Sequence, residues 1–283
     1  MEEKAYAKIN LALHVRARES DGYHSIETIF AFCEDGDLLA LAPGGEGETL
    51  TVGGPFAKAL GNGDDNLVLA AAQCLRWFEG FGGSRRRFPG AALHLEKRLP
   101  VAAGLGGGSA DAAAAIRLLD RYWQACGDQK ELCIRGGSLG ADVPACIVSR
   151  TRIGTNRGDR LAMPLRDDVA GMAVLLVNPG FPLSTGGVFR AWDGVDRGPL
   201  LAAGALEAAL VGRNDLEAPA LSLCPQIADV LAALRGTGPL LARMSGSGAT
   251  CFGLYRGEAE RDEAAARVAA AQPDWWTLAT RLR

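Results

Sequence analysis

Leu99-Pro100-Val101-Ala102-Ala103-Gly104-Leu105-Gly106-Gly107-Gly108-Ser109-Ala110-Asp111 runs directly into Ala112-Ala113-Ala114-Ala115-Ile116-Arg117-Leu118-Leu119. A glycine-rich turn empties into a strong helix former. Ser109 reads as the N-cap, and the alanines with Ile116, Leu118 and Leu119 read as a buried helix. The first amides of such a helix are unpaired and carry the positive end of its dipole, which makes an anion site that phosphate usually fills. Four glycines in five positions (Gly104, Gly106, Gly107, Gly108) exceed what a strand-to-helix turn needs for packing alone. No Gly-Lys-Ser/Thr closes the loop, so it is not a Walker A sequence. The acid required by a dinucleotide fingerprint is also missing, since Asp128 sits in a loop-like Cys126-Gly127-Asp128. A nucleotide loop of another type remains.

The chain has 283 residues, room for two modest domains, with ordinary apolar (48%) and charged (22%) content. A net charge of −3 argues against nucleic-acid binding on bulk electrostatics. Seven cysteines without a C-x-x-C pair, several in apolar segments, suggest reduced thiols and a cytoplasmic protein. No signal peptide or membrane-length apolar run is expected. Lysine occurs only at 4, 8, 58, 97 and 130, so one in an apolar setting stands out.

Lys8 is such a lysine. Ala5 to Val15 alternates like a half-buried strand, with Lys8, Asn10 and Ala12 on one face and Ile9, Leu11 and Leu13 on the other. Lys8 and Asn10 suit a polar cleft, and a solvated edge-strand lysine fits the same pattern. Asp21-Gly22 is a turn signal, and Ser25 to Phe32 follows as a second strand. Tyr23 and His24 at its entrance can stack on and hydrogen-bond a flat ligand, or simply pack. Asp35-Gly36-Asp37 and Pro43 to Glu48 read as turns around a short strand, Leu38 to Leu41. Asp64-Asp65-Asn66 reads as the cap of a helix from Leu67 to Phe78, and Ala91 to Lys97 as the strand feeding the glycine loop. Asp142 lies between a flexible turn and Val143-Pro144, whose proline disfavours a helical Val143; the aspartate is either a cap or a working group. A domain boundary is expected between Arg150 and Pro164. Beyond it come a strand (Gly171–Val177), a helix (Thr185–Trp192), an amphipathic helix (Leu221–Leu234) and a strand (Leu240–Met244). A second glycine turn, Ser245-Gly246-Ser247-Gly248, then precedes a strand (Ala249–Tyr255), a helix (Glu258–Ala271) and a last strand (Trp275–Leu282). The order indicates an α+β protein.

Four stretches together closely resemble the GHMP kinase superfamily. They are Ala7-Lys8-Ile9-Asn10-Leu11 with Asp21-Gly22-Tyr23-His24, the loop Leu99 to Ala113, Leu139-Gly140-Ala141-Asp142-Val143-Pro144, and Met244-Ser245-Gly246-Ser247-Gly248-Ala249-Thr250. The resemblance implies the two-domain fold of that superfamily: a ribosomal protein S5 domain 2-like, ATP-binding domain over 1–157 and a ferredoxin-like domain over 158–283. It also implies ATP-dependent phosphorylation of the 2-hydroxyl on the methylerythritol part of a cytidine diphosphate sugar-alcohol, in the non-mevalonate route to isoprenoid precursors. By matching position, Asp142 is the catalytic base, Lys8 its cationic partner, and Asn10 their neighbour at the substrate. Tyr23 and Phe189 sandwich the cytosine, with His24 reading its edge and Thr185 nearby. Asn66 and Lys97 approach the nucleoside of ATP, Gly104, Leu105, Gly106, Gly107, Gly108 and Ser109 its phosphates, and Ser245 to Gly248 the far side of the cleft. ATP implies Mg²⁺; no carboxylate is an obvious dedicated ligand, and Ser109 is a candidate. The partner is a small molecule, neither nucleic acid nor membrane, and the chain is expected to be a monomer or weak homodimer.

The chemistry fits these roles. A hydroxyl is a weak nucleophile, so a carboxylate must take its proton as it attacks the γ-phosphoryl group. A lysine beside that carboxylate keeps it ionised. Ala17, Glu19, Arg150-Thr151 and Asn156 depart from the superfamily's usual turn residues. A kinase of mevalonate or homoserine is the first alternative, against which Tyr23, His24 and Phe189 argue because those substrates carry no base. A non-catalytic nucleotide sensor is the second; it should have lost Lys8 or Asp142, and both are present.

Overall fold

The computed structural model describes residues 1–60, 66–76, 88–125, 128–201 and 204–283, as two compact units. Unit one is Met1–Ala7, Asp35–Val101 and Gly106–Ser149; unit two is Lys8–Glu34, Ala102–Leu105 and Arg150–Arg283. Strands β1 (Glu2–Arg18) and β2 (His24–Pro43) therefore each contribute to both units.

β1 is not half-buried as its alternation predicts. Ile9 and Leu11 are fully buried, and so, on the opposite face, are Lys8 at 4% and Asn10 at 2% exposure. That removes the solvated edge-strand reading of Lys8. The Asp35-Gly36-Asp37 turn is also absent, because β2 runs straight through it. Gly36 is there for close approach: a Cβ on it would lie 1.9 Å from the carbonyl oxygen of Ala5. The tripeptide reads as a turn only because strand and turn use glycine for different reasons.

In unit one, β3 (Glu48–Gly53), which the sequence reading missed, runs parallel to β4 (Ala91–Glu96), and β4 pairs antiparallel with Leu38–Pro43 of β2. Four helices accompany them: α1 (Leu67–Arg76), α2 (Gly107–Trp123), α3 (Gln129–Gly137) and α4 (Val143–Val148). Ala112 to Ala115 are all fully buried on α2, small side chains that let α1 and α4 pack closely against it. Ser109 is not its cap. Gly106, in the left-handed region at φ 63°, holds that position, and Ser109 lies within the first turn. Asp128 instead caps α3 through the Lys130 amide. Proline does not keep Val143 out of a helix; α4 begins there, with Pro144 in the first turn where no amide donor is needed. Asp64, Asp65, Trp77, Phe78, Cys126 and Gly127 fall outside the described residues.

Unit two opens the expected boundary region with a hairpin the sequence reading missed, β5 (Arg152–Thr155) and β6 (Arg160–Ala162), β5 pairing with Thr28–Phe30 of β2. Asn156 turns that hairpin at φ 62°, a conformation asparagine tolerates, so the missing family glycine costs little. β7 (Ala173–Asn178), α5 (Thr185–Arg190), α6 (Ala205–Val211, also missed), α7 (Glu217–Leu223) and α8 (Gln226–Arg235) follow. β8 (Leu241–Met244), β9 (Cys251–Tyr255), α9 (Glu258–Ala271) and β10 (Trp276–Arg281) complete it. The single helix expected over Leu221–Leu234 is two, broken where Pro225 follows Cys224. The four-stranded antiparallel sheet has the order β10-β7-β9-β8. With α8 and α9 as its connections this is the β-α-β-β-α-β arrangement of a ferredoxin-like domain.

Candidate active site

The polar side chains of β1 are organised by hydrogen bonds inside unit two. Lys8 Nζ donates to Asn10 Oδ1 at 2.8 Å, Asn10 Nδ2 donates to Thr28 Oγ1 at 2.8 Å, and Thr28 Oγ1 donates to the Ala12 carbonyl at 2.6 Å. This chain fixes the Asn10 amide with its oxygen toward the ammonium, which also lies 5.4 Å from the centroid of the Phe30 ring. A buried cation and a buried amide, held in one orientation, can address a polar ligand without reorganising.

The two glycine turns meet here. Lys8 N–H donates to the Leu105 carbonyl at 2.9 Å and Thr250 N–H to the Ala103 carbonyl at 3.1 Å. Ser245 Oγ donates to the Gly104 carbonyl at 2.9 Å while accepting from Asn10 N–H at 3.2 Å. A Cβ on Gly104 would come within 2.3 Å of the Ser245 carbonyl oxygen, so this glycine is explained by the packing of one turn on the other. Asn214 Nδ2 braces the second turn by donating to the carbonyls of Met244 and Gly246, each at 2.8 Å. Thr185 Oγ1 is 3.0 Å from Ser247 Oγ, which ties the start of α5 to the same turn.

His24 is 6% exposed and packs on Phe189, ring centroids 5.0 Å apart and tilted by 41°, and edge-on to Trp192 at 5.8 Å. Burial and the Arg18 guanidinium, whose Nε donates to His24 Nε2 at 3.3 Å, lower its pKa below the usual histidine value. Tyr23 is 55% exposed; the Arg157 guanidinium, ion-paired with Asp21, lies 4.0 Å over its ring.

In unit one the feature at the head of α2 is a buried triad. Lys97, 1% exposed, donates to Asp37 Oδ2 at 2.5 Å and to Asp111 Oδ2 at 2.7 Å. Asp37 Oδ1 accepts from the amides of Arg98 and Leu99 at 2.5 and 2.8 Å. Burial works against the Lys97 charge, but the two carboxylates outweigh it and raise its pKa above the usual value. Burial pushes the Asp111 carboxyl up to about 7 against the pull of Lys97. A Cβ on Gly107 would lie 3.0 Å from Lys97 Nζ, so the lysine underlies the first residue of α2. α2 has no side-chain cap, and Gly108 at its start is exposed. The Asn66 side chain accepts from the Val68 amide at 2.9 Å, capping α1. Asp142, half-buried, holds the N-cap position of α4 through its carbonyl, which accepts from Cys146 N–H at 3.0 Å, while its side chain makes no cap hydrogen bond.

Lys8, Asn10, His24, Phe189, Gly104 and Leu105 thus sit in organised settings within unit two, and Lys97 with Gly106 to Ser109 in unit one. Sequence reasoning missed Thr28, Asn214, Arg18, Asp37 and Asp111. The signal for Asp111 was present, an acid inside an alanine run; Arg18 carried none.

The description "GHMP kinases N terminal domain" matches residues 66–150, and "GHMP kinases C terminal" matches residues 199–274. The chain is 55% identical to the 4-diphosphocytidyl-2-C-methyl-D-erythritol kinase of Rhizorhabdus wittichii, over 99% of this chain and 94% of that protein. It is 50% identical to the kinase of the same name from Sphingopyxis alaskensis, over 100% and 99%. A crystal structure of a 4-(cytidine 5'-diphospho)-2C-methyl-D-erythritol kinase superposes with a TM-score of 0.81 at 34% identity, covering 100% of this chain and 99% of that one. The chain belongs to the GHMP kinases, and within them to the 4-diphosphocytidyl-2-C-methyl-D-erythritol kinase family. It is a small-molecule kinase.

Proposed function

We propose that the chain transfers the γ-phosphoryl group of ATP to the 2-hydroxyl of 4-diphosphocytidyl-2-C-methyl-D-erythritol, releasing the 2-phosphate and ADP. Full-length identity to kinases of that name supports the substrate. The observation that carries it is His24 packed at a tilt against Phe189, an aromatic pair with a hydrogen-bonding edge, which a substrate without a base does not need.

Asp142 accepts the proton of the attacking hydroxyl, the role its place in the Leu139–Pro144 stretch implies. Lys8 supplies positive charge that meets the charge developing on the transferred group. Asn10, oriented by Thr28, positions the acceptor alcohol. Tyr23 and Phe189 stack on the cytosine, His24 reads its edge, and Thr185 supports α5 beneath it.

The head of α2 fits a triphosphate: 17 helical residues aligned behind an uncapped first turn, entered through glycines at 106, 107 and 108. Leu105, Gly104 and Ser109 complete that loop, and Asn66 stays with the nucleoside. Lys97 serves by setting the start of α2 through Gly107, because its own ammonium is enclosed by two carboxylates. No group of three or more His, Cys, Asp or Glu side chains able to hold a metal occurs among the described residues. Mg²⁺ suits such a site, since it binds mainly through substrate phosphates and water with one or two protein ligands; Ser109 is the residue offered to it. The ion, when bound, neutralises phosphate charge.

ATP consumption measured with the cytidylated methylerythritol, mevalonate and homoserine tests this reading. Turnover of the first alone is expected, and comparable turnover of mevalonate or homoserine overturns it.

A further inference from the structure

Arg18 is the last residue of β1, and its guanidinium makes three hydrogen bonds inside unit two. Nε donates to His24 Nε2 at 3.3 Å, and Nη2 donates to the carbonyls of Arg190 and Trp192 at 3.2 and 3.4 Å. A guanidinium has donors only and keeps its proton throughout the physiological range. His24 Nε2 must therefore be the acceptor, which leaves the single proton of a neutral imidazole on Nδ1. Burial and the Arg18 cation both disfavour a second proton on the ring. The remaining edge of His24 is thereby a donor.

The consequence is chemical. At ring position 3 cytosine presents a bare nitrogen, an acceptor, whereas uracil presents an N–H, a donor. An Nδ1–H matches the first and opposes the second. A donor facing a donor leaves two desolvated groups without partners, a penalty that separates the two bases where stacking does not. The same guanidinium binds the carbonyl of Arg190, the last residue of α5, the helix that carries Phe189, and that of Trp192 just beyond it. One side chain thus sets both the edge reader and the end of the helix bearing the ring on which it packs.

We propose that Arg18 is a positioning residue for base recognition: by donating to Nε2 it fixes His24 as an Nδ1–H donor and so selects cytosine over uracil. This rests on the cytidine reading of the site given above. It is not a property of the stacking rings, which accept any flat base.

Two measurements on the full chain test it. Long-range proton–nitrogen correlation of ¹⁵N-histidine protein reads the tautomer of each of the three histidines, with His24→Gln supplying the assignment. At neutral pH His24 is expected to carry its proton on Nδ1. Arg18→Gln, which retains a neutral donor, should keep that tautomer; Arg18→Met, which has none, should release it toward the Nε2–H form. His14 is held independently, its Nε2 accepting from Arg213 N–H and its Nδ1 facing the Gly198 carbonyl, so its unchanged signals show that the fold is intact. Calorimetry with cytidine 5'-diphosphate and uridine 5'-diphosphate reads the selectivity. Arg18→Met should reduce the ratio of the two affinities about tenfold, the scale of one mismatched polar group, while Arg18→Gln changes it by less than about threefold. A wild-type His24 protonated on Nε2, or doubly protonated, overturns the proposal whatever the nucleotides do. An unchanged ratio in Arg18→Met overturns the selectivity. Should wild-type protein bind neither nucleotide while His24 is an Nδ1–H donor, the cytidine reading falls and takes the selectivity with it, leaving the tautomer assignment standing.

Discussion

Two aspartates in this chain have opposite duties. Asp142 is half-buried at the start of α4 and is the proposed base. Asp142→Asn is expected to lower kcat by about two orders of magnitude or more while KM for ATP stays within about twofold, because the nucleotide is held elsewhere. Initial rates at varied ATP check this, and near-normal turnover removes Asp142 from the role. Asp111 is buried against Lys97 and cannot reach a substrate. Its carboxyl is pushed up to about 7 in the folded protein, so between the unfolded value near 4 and that point the folded state binds more protons. Its contribution to stability therefore falls as pH rises from about 4 to 7. Lys97 is raised as well, and there the shift favours the charged form: its contribution is full below the ordinary lysine pKa and lost as pH rises through the raised value. Lys97→Met strands two buried carboxylates above about pH 7 and should destabilise by about 3–5 kcal/mol at about pH 8.5, with a smaller loss at about pH 5 where Asp111 is protonated. Urea titrations at the two pH values check the difference, and equal losses would sink the assignment of the shift to Asp111.

At the scale of elements, the chain was legible wherever periodicity and end signals agreed. The loop-to-helix passage at Leu99–Leu119, β7, β9, α9 and β10 all stand close to where apolar pattern and glycine placed them. Errors arose where one residue type serves two purposes. Gly36 suggested a turn but answers to the carbonyl of Ala5, a contact made by a strand that is distant in sequence. Lys8 left a polar cleft and a solvated edge strand both open, since alternation cannot reveal that both faces of a strand are covered. Of the candidate site, Lys8, Asn10 and His24 carried a local signal, whereas Thr28 and Arg18 act through partners that only folding supplies. Gly36→Ala makes the point experimentally. A Cβ at 1.9 Å from a backbone oxygen cannot be relieved by a rotamer, so β1 and β2 must separate locally. The loss should exceed the ordinary 0.5–1 kcal/mol scale of glycine replacements severalfold, to about 3 kcal/mol or more. Chemical denaturation measures it, and a stability change below about 1 kcal/mol would mean that the strands tolerate the extra atom.

At the scale of the whole molecule, the units are not successive lengths of chain. Unit two takes Lys8–Glu34 from the N-terminal end, and those residues are structural as well as polar. Leu13, Val15 and Ile26, at most 5% exposed, belong to the same core cluster as Leu175, Val177, Ile227, Val230 and Leu234. Arg243, 9% exposed, donates to the Leu11 carbonyl at 2.5 Å, and Asp215 Oδ2 accepts from Val15 N–H at 2.9 Å. Removing 1–157 therefore uncovers an apolar face and takes one hydrogen-bond partner each from a buried guanidinium and a buried carboxylate. Three lost side-chain burials alone amount to about 4–9 kcal/mol, a large part of the 5–15 kcal/mol that typically holds a domain together. The ferredoxin-like half, for all its complete β-α-β-β-α-β topology, should not fold alone. A fragment of residues 158–283 is expected to lack near-ultraviolet circular dichroism and to melt without a cooperative transition, whereas the full chain melts cooperatively. Adding a peptide of residues 8–34 in excess should restore part of the near-ultraviolet signal, because those residues supply the missing face. A fragment that unfolds cooperatively without the peptide would show that the C-terminal half is self-sufficient, and that β1 joins it for the sake of Lys8 and Asn10 rather than for its core.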